Sequence, residues 1–78
     1  MPTVLRIGPY RFFFYSGYGK EPLHIHIERD DQIAKFWLSP VRLANSGGFN
    51  RAELREIERH VEENAMVLRE AWNEYFGA

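Results

Sequence analysis

Two histidines separated by a single residue, His24 and His26, are the residues of this chain with the most evident chemical potential. They lie in a segment typical of a β-strand, in which successive side chains alternate between the two faces of a sheet. His24, His26 and Glu28 are therefore predicted to share one face, with the intervening isoleucines pointing into a core. Two imidazoles and a carboxylate in one row could form either an acid–base site or a metal site.

The metal hypothesis assigns His24, His26 and Glu28 as the ligands. The Cα atoms of the two histidines would lie about 7 Å apart, so their rings could converge on one divalent ion such as zinc. The acid–base alternative requires no cofactor, because one histidine would act as the base and the other as the acid. A third alternative is a polar strand face that simply carries two histidines. The spacing alone leaves all three open.

Four further residues are predicted to surround the histidines. Arg11 and Tyr15 lie on one face of the preceding strand, and Lys35 and Trp37 lie on one face of the following strand. If these strands pair in the expected register, the four side chains share the histidine face. Such a surface suits RNA binding or metal-independent phosphodiester cleavage, in which Arg11 or Lys35 would stabilise the phosphorane charge. Alternatively, an exposed Trp37 would mark a protein interface.

A series of strands is predicted to position these residues. Gly8-Pro9, Asp30-Asp31 and Ser39-Pro40 mark turns between apolar or alternating segments. The predicted strands are Thr3–Ile7, Tyr10–Ser16, His24–Arg29 and Gln32–Leu38, followed by a short turn or edge segment at Val41–Ala44. The fold class is therefore α+β, with an antiparallel sheet of about four strands covered on one face by a C-terminal helix or two helices.

The helical region begins after Asn50, a favourable N-cap with Glu53 three residues later. Apolar residues then recur at spacings of three and four up to Phe76, without glycine or proline. One uninterrupted helix would be about 39 Å long, which exceeds strands of about 17–20 Å, so a break near Glu63–Asn64 is an open alternative. This layer would cover the isoleucine face and leave the histidine face accessible. Trp72 lies in the apolar stripe and is assigned to the core or to an interface.

Length and composition indicate one small α+β domain over residues 1–78. The absence of cysteine excludes disulfides, thiolate zinc sites and a cysteine nucleophile, and favours a cytoplasmic location. Residues 1–6 lack the pattern of a signal peptide, and no apolar stretch approaches 20 residues, so no membrane partner is expected. The formal net charge of −1 does not by itself predict a nucleic-acid partner.

Segments distributed along nearly the whole chain carry a family resemblance. They are Met1–Ile7, Tyr10–Ser16, Glu21–Ile27, Ala34–Leu38, Pro40–Ala44, Gly48–Phe49, Glu62–Asn64 and Ala71–Phe76. In this combination the chain resembles the small bacterial proteins of domain-of-unknown-function family 4160. It departs from them at Leu23, where the family commonly has a second proline, a difference that should loosen the loop before the histidines.

The resemblance implies a protein partner, because members of this family are stand-alone proteins often assigned to toxin–antitoxin-like gene pairs. The partner would be encoded by an adjacent gene, and RNA cleavage or regulation would be the associated role. The leading hypothesis is a toxin-like member acting through the face of His24, His26, Arg11, Tyr15, Lys35 and Trp37. The alternatives are a small metal-binding module and a non-catalytic adaptor using Trp37 and Trp72. Whether the chain is an enzyme, and whether it forms homo-oligomers, is left open.

Overall fold

A computed structural model describes residues 3–15 and 20–77. Five strands precede two helices. In chain order they are β1 (Thr3–Ile7), β2 (Tyr10–Phe13), β3 (His24–Arg29), β4 (Gln32–Leu38), β5 (Val41–Asn45), α1 (Arg51–Glu63) and α2 (Ala65–Phe76). The parts of the predictions that concern Met1, Pro2 and residues 16–19 lie outside the described residues.

The strands form one antiparallel sheet in the order β1-β2-β3-β4-β5, so each strand pairs with its neighbour in sequence. The α+β prediction is confirmed, and so is the edge alternative for Val41–Ala44. This segment is a fifth strand at the edge of the sheet, which pairs with the outer edge of β4 and satisfies its backbone groups. β2 ends at Phe13, three residues before the predicted end.

The helical region is divided at Asn64, so the alternative with two helices is confirmed. The side chain of Asn50 accepts a hydrogen bond of 2.8 Å from the backbone N–H of Glu53, as the predicted cap requires. At Asn64 the backbone turns out of the helix at φ −115° and ψ 13°, and the side-chain Nδ2 donates to the carbonyl of His60 at 2.8 Å. The break lets both helices pack on a sheet that is shorter than one continuous helix.

Aromatic and aliphatic side chains from both layers form the core. Those with at most 3% of their surface exposed include Phe12, Phe14, Ile25, Ile27, Phe36 and Leu38 from the sheet side, and Ile57, Val61, Leu68 and Trp72 from the helices. Burial of each such side chain contributes about 1.5–3 kcal/mol. In the described part of the chain, neither helix combines the length and the apolar character needed to cross a bilayer.

A polar cluster attaches α1 to the sheet at Arg29, the end of β3 opposite to His24. Arg29 donates hydrogen bonds to both carboxylate oxygens of Glu53, at 2.5 Å and 2.9 Å, and the Tyr10 hydroxyl donates to Glu53 at 2.8 Å. Burial, followed by the hydrogen bond to Glu53, raises the pKa of Tyr10 to about 12. Because Glu53 stands in the first turn of α1, this cluster sets how the helix begins against the sheet.

Candidate functional site

The two histidines lie side by side in β3, with ring centroids 5.3 Å apart and ring planes at 89°. His24 is completely buried, and only 7% of the surface of His26 is exposed. The prediction that both are accessible is therefore wrong. Other aromatic rings enclose them: the Trp72 ring lies 4.8 Å from that of His24, and the Phe13 and Tyr15 rings lie 5.4 Å and 4.7 Å from that of His26.

Trp72 explains the burial of His24. His24 is the first residue of β3, and Trp72 of α2 contacts its ring as well as the ring of Phe14. Trp72 is itself only 3% exposed. Of the two alternatives for Trp72, the core or an interface, its position supports the core, where it brings α2 against the histidine pair. The prediction that the helical layer covers only the isoleucine face is wrong at His24.

His24 connects two neighbouring parts of the chain. Its Nδ1 lies 2.9 Å from the carbonyl oxygen of Pro22, and since a carbonyl only accepts, Nδ1 carries the proton. Its ring also contacts Trp37, which stands directly opposite it on β4, at 5.8 Å between centroids. His24 therefore positions both Pro22 and Trp37.

Burial lowers the pKa of both imidazoles. Loss of solvent is the largest cause for each, and for His26 the neighbouring His24 and Lys35 lower the pKa further, to about 4. Both shifts favour the neutral imidazole at pH 7. This state does not favour the acid–base hypothesis, in which one histidine must be protonated to act as the acid.

The structure places Arg11 and Lys35 beside aromatic rings, and each is engaged by a carboxylate. Arg11 donates to Glu28 at 2.8 Å and to Thr3 at 3.0 Å, with its guanidinium carbon 4.1 Å from the Phe13 ring centroid. Lys35 lies over the Trp37 ring at 4.5 Å.

Lys35 also donates to Glu21 at 2.7 Å, and this hydrogen bond is the main cause of the lowered pKa of Glu21. Sequence reasoning missed Glu21 because it precedes the strand in an irregular segment. The register confirms that Lys35 and Trp37 share the histidine face, since Lys35 pairs with His26 and Trp37 with His24.

The structure does not bring Glu28 to the histidines as a third ligand, because Arg11 binds its carboxylate. Across residues 3–15 and 20–77, no group of three or more histidine, cysteine, aspartate or glutamate side chains is arranged to hold a metal ion. Whether His24 and His26 bind a divalent metal therefore stays a prediction.

An open groove of about 260 Å³ lies next to His24, and we call it the Trp37 groove. Its walls are Pro22, Leu23, Trp37, Ser39, Pro40 and Arg42. Trp37 is half-buried, Arg42 is exposed, and the two stand directly opposite each other on β4 and β5. Sequence reasoning missed Arg42 because a turn and an edge segment are both open alternatives for Val41–Ala44, and neither gives it a register against β4. The alternation of Val41 and Leu43 with Arg42 could have indicated a strand.

These features define a small α+β domain, in which two helices pack on an antiparallel sheet and aromatic and basic side chains surround the buried histidine pair. The chain belongs to a family described as "Domain of unknown function (DUF4160)", whose profile matches residues 10–73. The match includes both histidines and every residue of the Trp37 groove. Comparison with curated proteins and with solved structures gave no match.

The neutral histidines predict a loss of stability in mild acid. Their pKa values are lower in the folded chain than in the unfolded chain, so the unfolded state binds more protons below about pH 6.5. For His26, whose pKa falls to about 4, this difference extends down to about pH 4. We expect the histidines to make their whole contribution to the free energy of unfolding above about pH 6.5. The free energy of unfolding should then fall by about 1–3 kcal/mol as the pH approaches 4. Urea denaturation at pH 7, 5.5 and 4.5 measures this change.

The variant His26→Gln is the control for the acid effect. It should show a shallower decline over the same pH window, because one of the two shifted groups is absent. An unfolding free energy that is constant between pH 7 and pH 4.5 in the parent chain would contradict the prediction.

Proposed function

We propose that the chain is a non-catalytic protein-binding module, the binding member of a toxin–antitoxin-like pair, and that it engages its partner through the Trp37 groove. One observation carries this proposal. Trp37 and Arg42 line an open groove, whereas the candidate catalytic histidines are buried and uncharged at neutral pH. The family resemblance supplies the two-protein context.

The residue types of the groove support a protein partner. Tryptophan and arginine are enriched among the residues that dominate the energy of protein interfaces. The Trp37 ring is held from one side by His24 and approached by Lys35, so little side-chain freedom is lost on binding. The exposed guanidinium of Arg42 favours a carboxylate on the partner.

The charges of the same face support a protein partner over RNA. Arg11 and Lys35 are each hydrogen-bonded to a glutamate, so an incoming phosphate would compete with an existing carboxylate at both positions. The chain as a whole has a formal charge of −1, whereas RNA binding draws most of its affinity from cations. RNA cleavage by a toxin-like protein is therefore the alternative hypothesis, and expression of the chain in a bacterial host tests it.

Calorimetric titration with the product of the adjacent gene tests the proposal. Trp37→Ala and Arg42→Ala are each expected to weaken binding by about 30-fold, the effect of losing about 2 kcal/mol at a central interface residue. Arg55→Ala is the matched control, because Arg55 is exposed on α1 and lies outside the groove. Circular dichroism of each variant verifies the fold.

Expression of the chain in a bacterial host distinguishes the alternatives. Growth arrest that the adjacent gene's product relieves, and that a folded His24→Gln variant abolishes, would support the nuclease hypothesis and overturn the proposal. Stoichiometric metal in protein purified without an affinity tag, lost in a His24→Gln/His26→Gln double variant, would support the metal-binding alternative. Partner affinity unchanged by both groove substitutions would also overturn the proposal.

A further inference from the structure

The outer side of α2 carries an apolar stripe that the fold covers only in part. Val67, Ala71 and Tyr75 recur every four residues. Val67 and Tyr75 are 51% and 49% exposed, whereas Ala71 between them is partly buried against the core. A helix that packs only against its own sheet normally presents polar residues on this side. We call these three residues the α2 stripe.

The α2 stripe borders a groove of about 390 Å³ between α2 and the edge strand β1. The groove is lined by Thr3, Val4 and Phe14 on the sheet side, and by Ala71, Glu74 and Tyr75 on the helix side. The Phe14 ring forms part of its floor, 5.2 Å from the Tyr75 ring. Stripe and groove together therefore offer a continuous apolar surface into which larger side chains could insert.

The exposed charged side chains of α2 beside the stripe are negative: Glu70 and Glu74 are both exposed, and Glu74 lines the groove. On the sheet side, Arg11 donates to Thr3 at 3.0 Å, but its guanidinium is already paired with Glu28 at 2.8 Å. From residue 61 to residue 77 the only basic side chain is Arg69, and it donates to the backbone carbonyl of Leu38, on the sheet.

We propose that the α2 stripe and its groove bind a basic amphipathic helix of a protein partner. The apolar side of that helix would enter the groove, and its flanking lysines and arginines would pair with the glutamates. The 12 residues of α2 span about 18 Å, which matches a partner helix of about three turns. If a second copy docked its α2 against this α2, Glu70 and Glu74 of both copies would come together, and the repulsion between their carboxylates disfavours such a dimer. The proposal does not depend on the Trp37 groove.

Two synthetic helical peptides of about 14 residues test the partner chemistry. Both carry the same apolar stripe, but one has lysine and arginine beside it and its twin has glutamate. We expect calorimetry to give the basic peptide a dissociation constant in the tens of micromolar, weakened by added salt. The acidic twin should bind at least about tenfold more weakly.

Matched substitutions locate the binding surface. Val67→Lys should weaken the basic peptide about tenfold or more. Met66→Lys, which adds the same charge at a 72% exposed position about 100° around the helix, should change the affinity less than about threefold. Glu70→Lys/Glu74→Lys should reverse the preference toward the acidic twin. Trp37→Ala should leave peptide binding unchanged, which separates this proposal from the previous one.

Three results would overturn the proposal. They are equal affinity for the two peptides, equal effects of Val67→Lys and Met66→Lys, and a concentration-dependent dimer of the chain that Val67→Lys abolishes. The last result would show that a second copy occupies the surface.

Discussion

Replacement of Trp72 by alanine is expected to lower the free energy of unfolding by about 3–5 kcal/mol, the range for removing a large aromatic side chain from a core. The Trp72 ring lies 5.6 Å from that of Phe14, 4.8 Å from that of His24 and 4.3 Å from that of Phe76. Its loss leaves a cavity where α2 meets the histidines. Small domains have only about 5–10 kcal/mol in total, so this substitution should remove a large part of the stability of the domain.

Urea denaturation followed by circular dichroism measures the Trp72 effect. Trp72→Phe keeps an aromatic ring and should cost about 1–2 kcal/mol, so it remains measurable if the alanine variant does not fold. Tyr75→Ala is the control on the same helix, because Tyr75 is 49% exposed, and its effect should be less than half as large. If Trp72→Ala retained the parent stability but lost partner binding, Trp72 would act as an interface residue after all.

The second large effect is expected at Gly47, where alanine should cost about 2–5 kcal/mol. Gly47 has a φ of +62°, and a Cβ atom there would lie 2.0 Å from the backbone oxygen of Ile33 and 2.4 Å from its carbonyl carbon. Ile33 belongs to β4 and pairs with Glu28 of the neighbouring strand β3, which restricts how far its backbone can move away. The loop between β5 and α1 would have to shift instead.

Gly8→Ala separates the two causes of the Gly47 effect. Gly8 has a similar φ of +55°, but no atom lies within 4 Å of the position of an added Cβ. This control therefore reports the backbone penalty alone, about 1–2 kcal/mol. Thermal or urea unfolding of both variants measures the difference, and equal losses of stability would show that the contact with Ile33 is unimportant.

Local sequence patterns predicted much of the fold. Alternation in β3 placed the histidines on one face, and alternation in β4 placed Lys35 and Trp37 with them, because the period of two is a property of each strand alone. The Asn50 cap was predictable for the same reason, since capping depends on neighbouring residues. The division of the helical region is only an open alternative at the level of the sequence, because it follows from the length of the helix relative to the strands and not from a local signal.

The properties of the candidate site were decided by residues that are distant in sequence. By itself the sequence determined that His24 and His26 share a face. Only the tertiary structure decided that they are buried and neutral, because Trp72 reaches His24 from 48 positions along the chain. The arrangement of Pro22, Trp37 and Arg42 around one groove likewise required three segments to meet. Burial depends on what packs against a face, and a pattern read along one strand carries no information about the element that covers it.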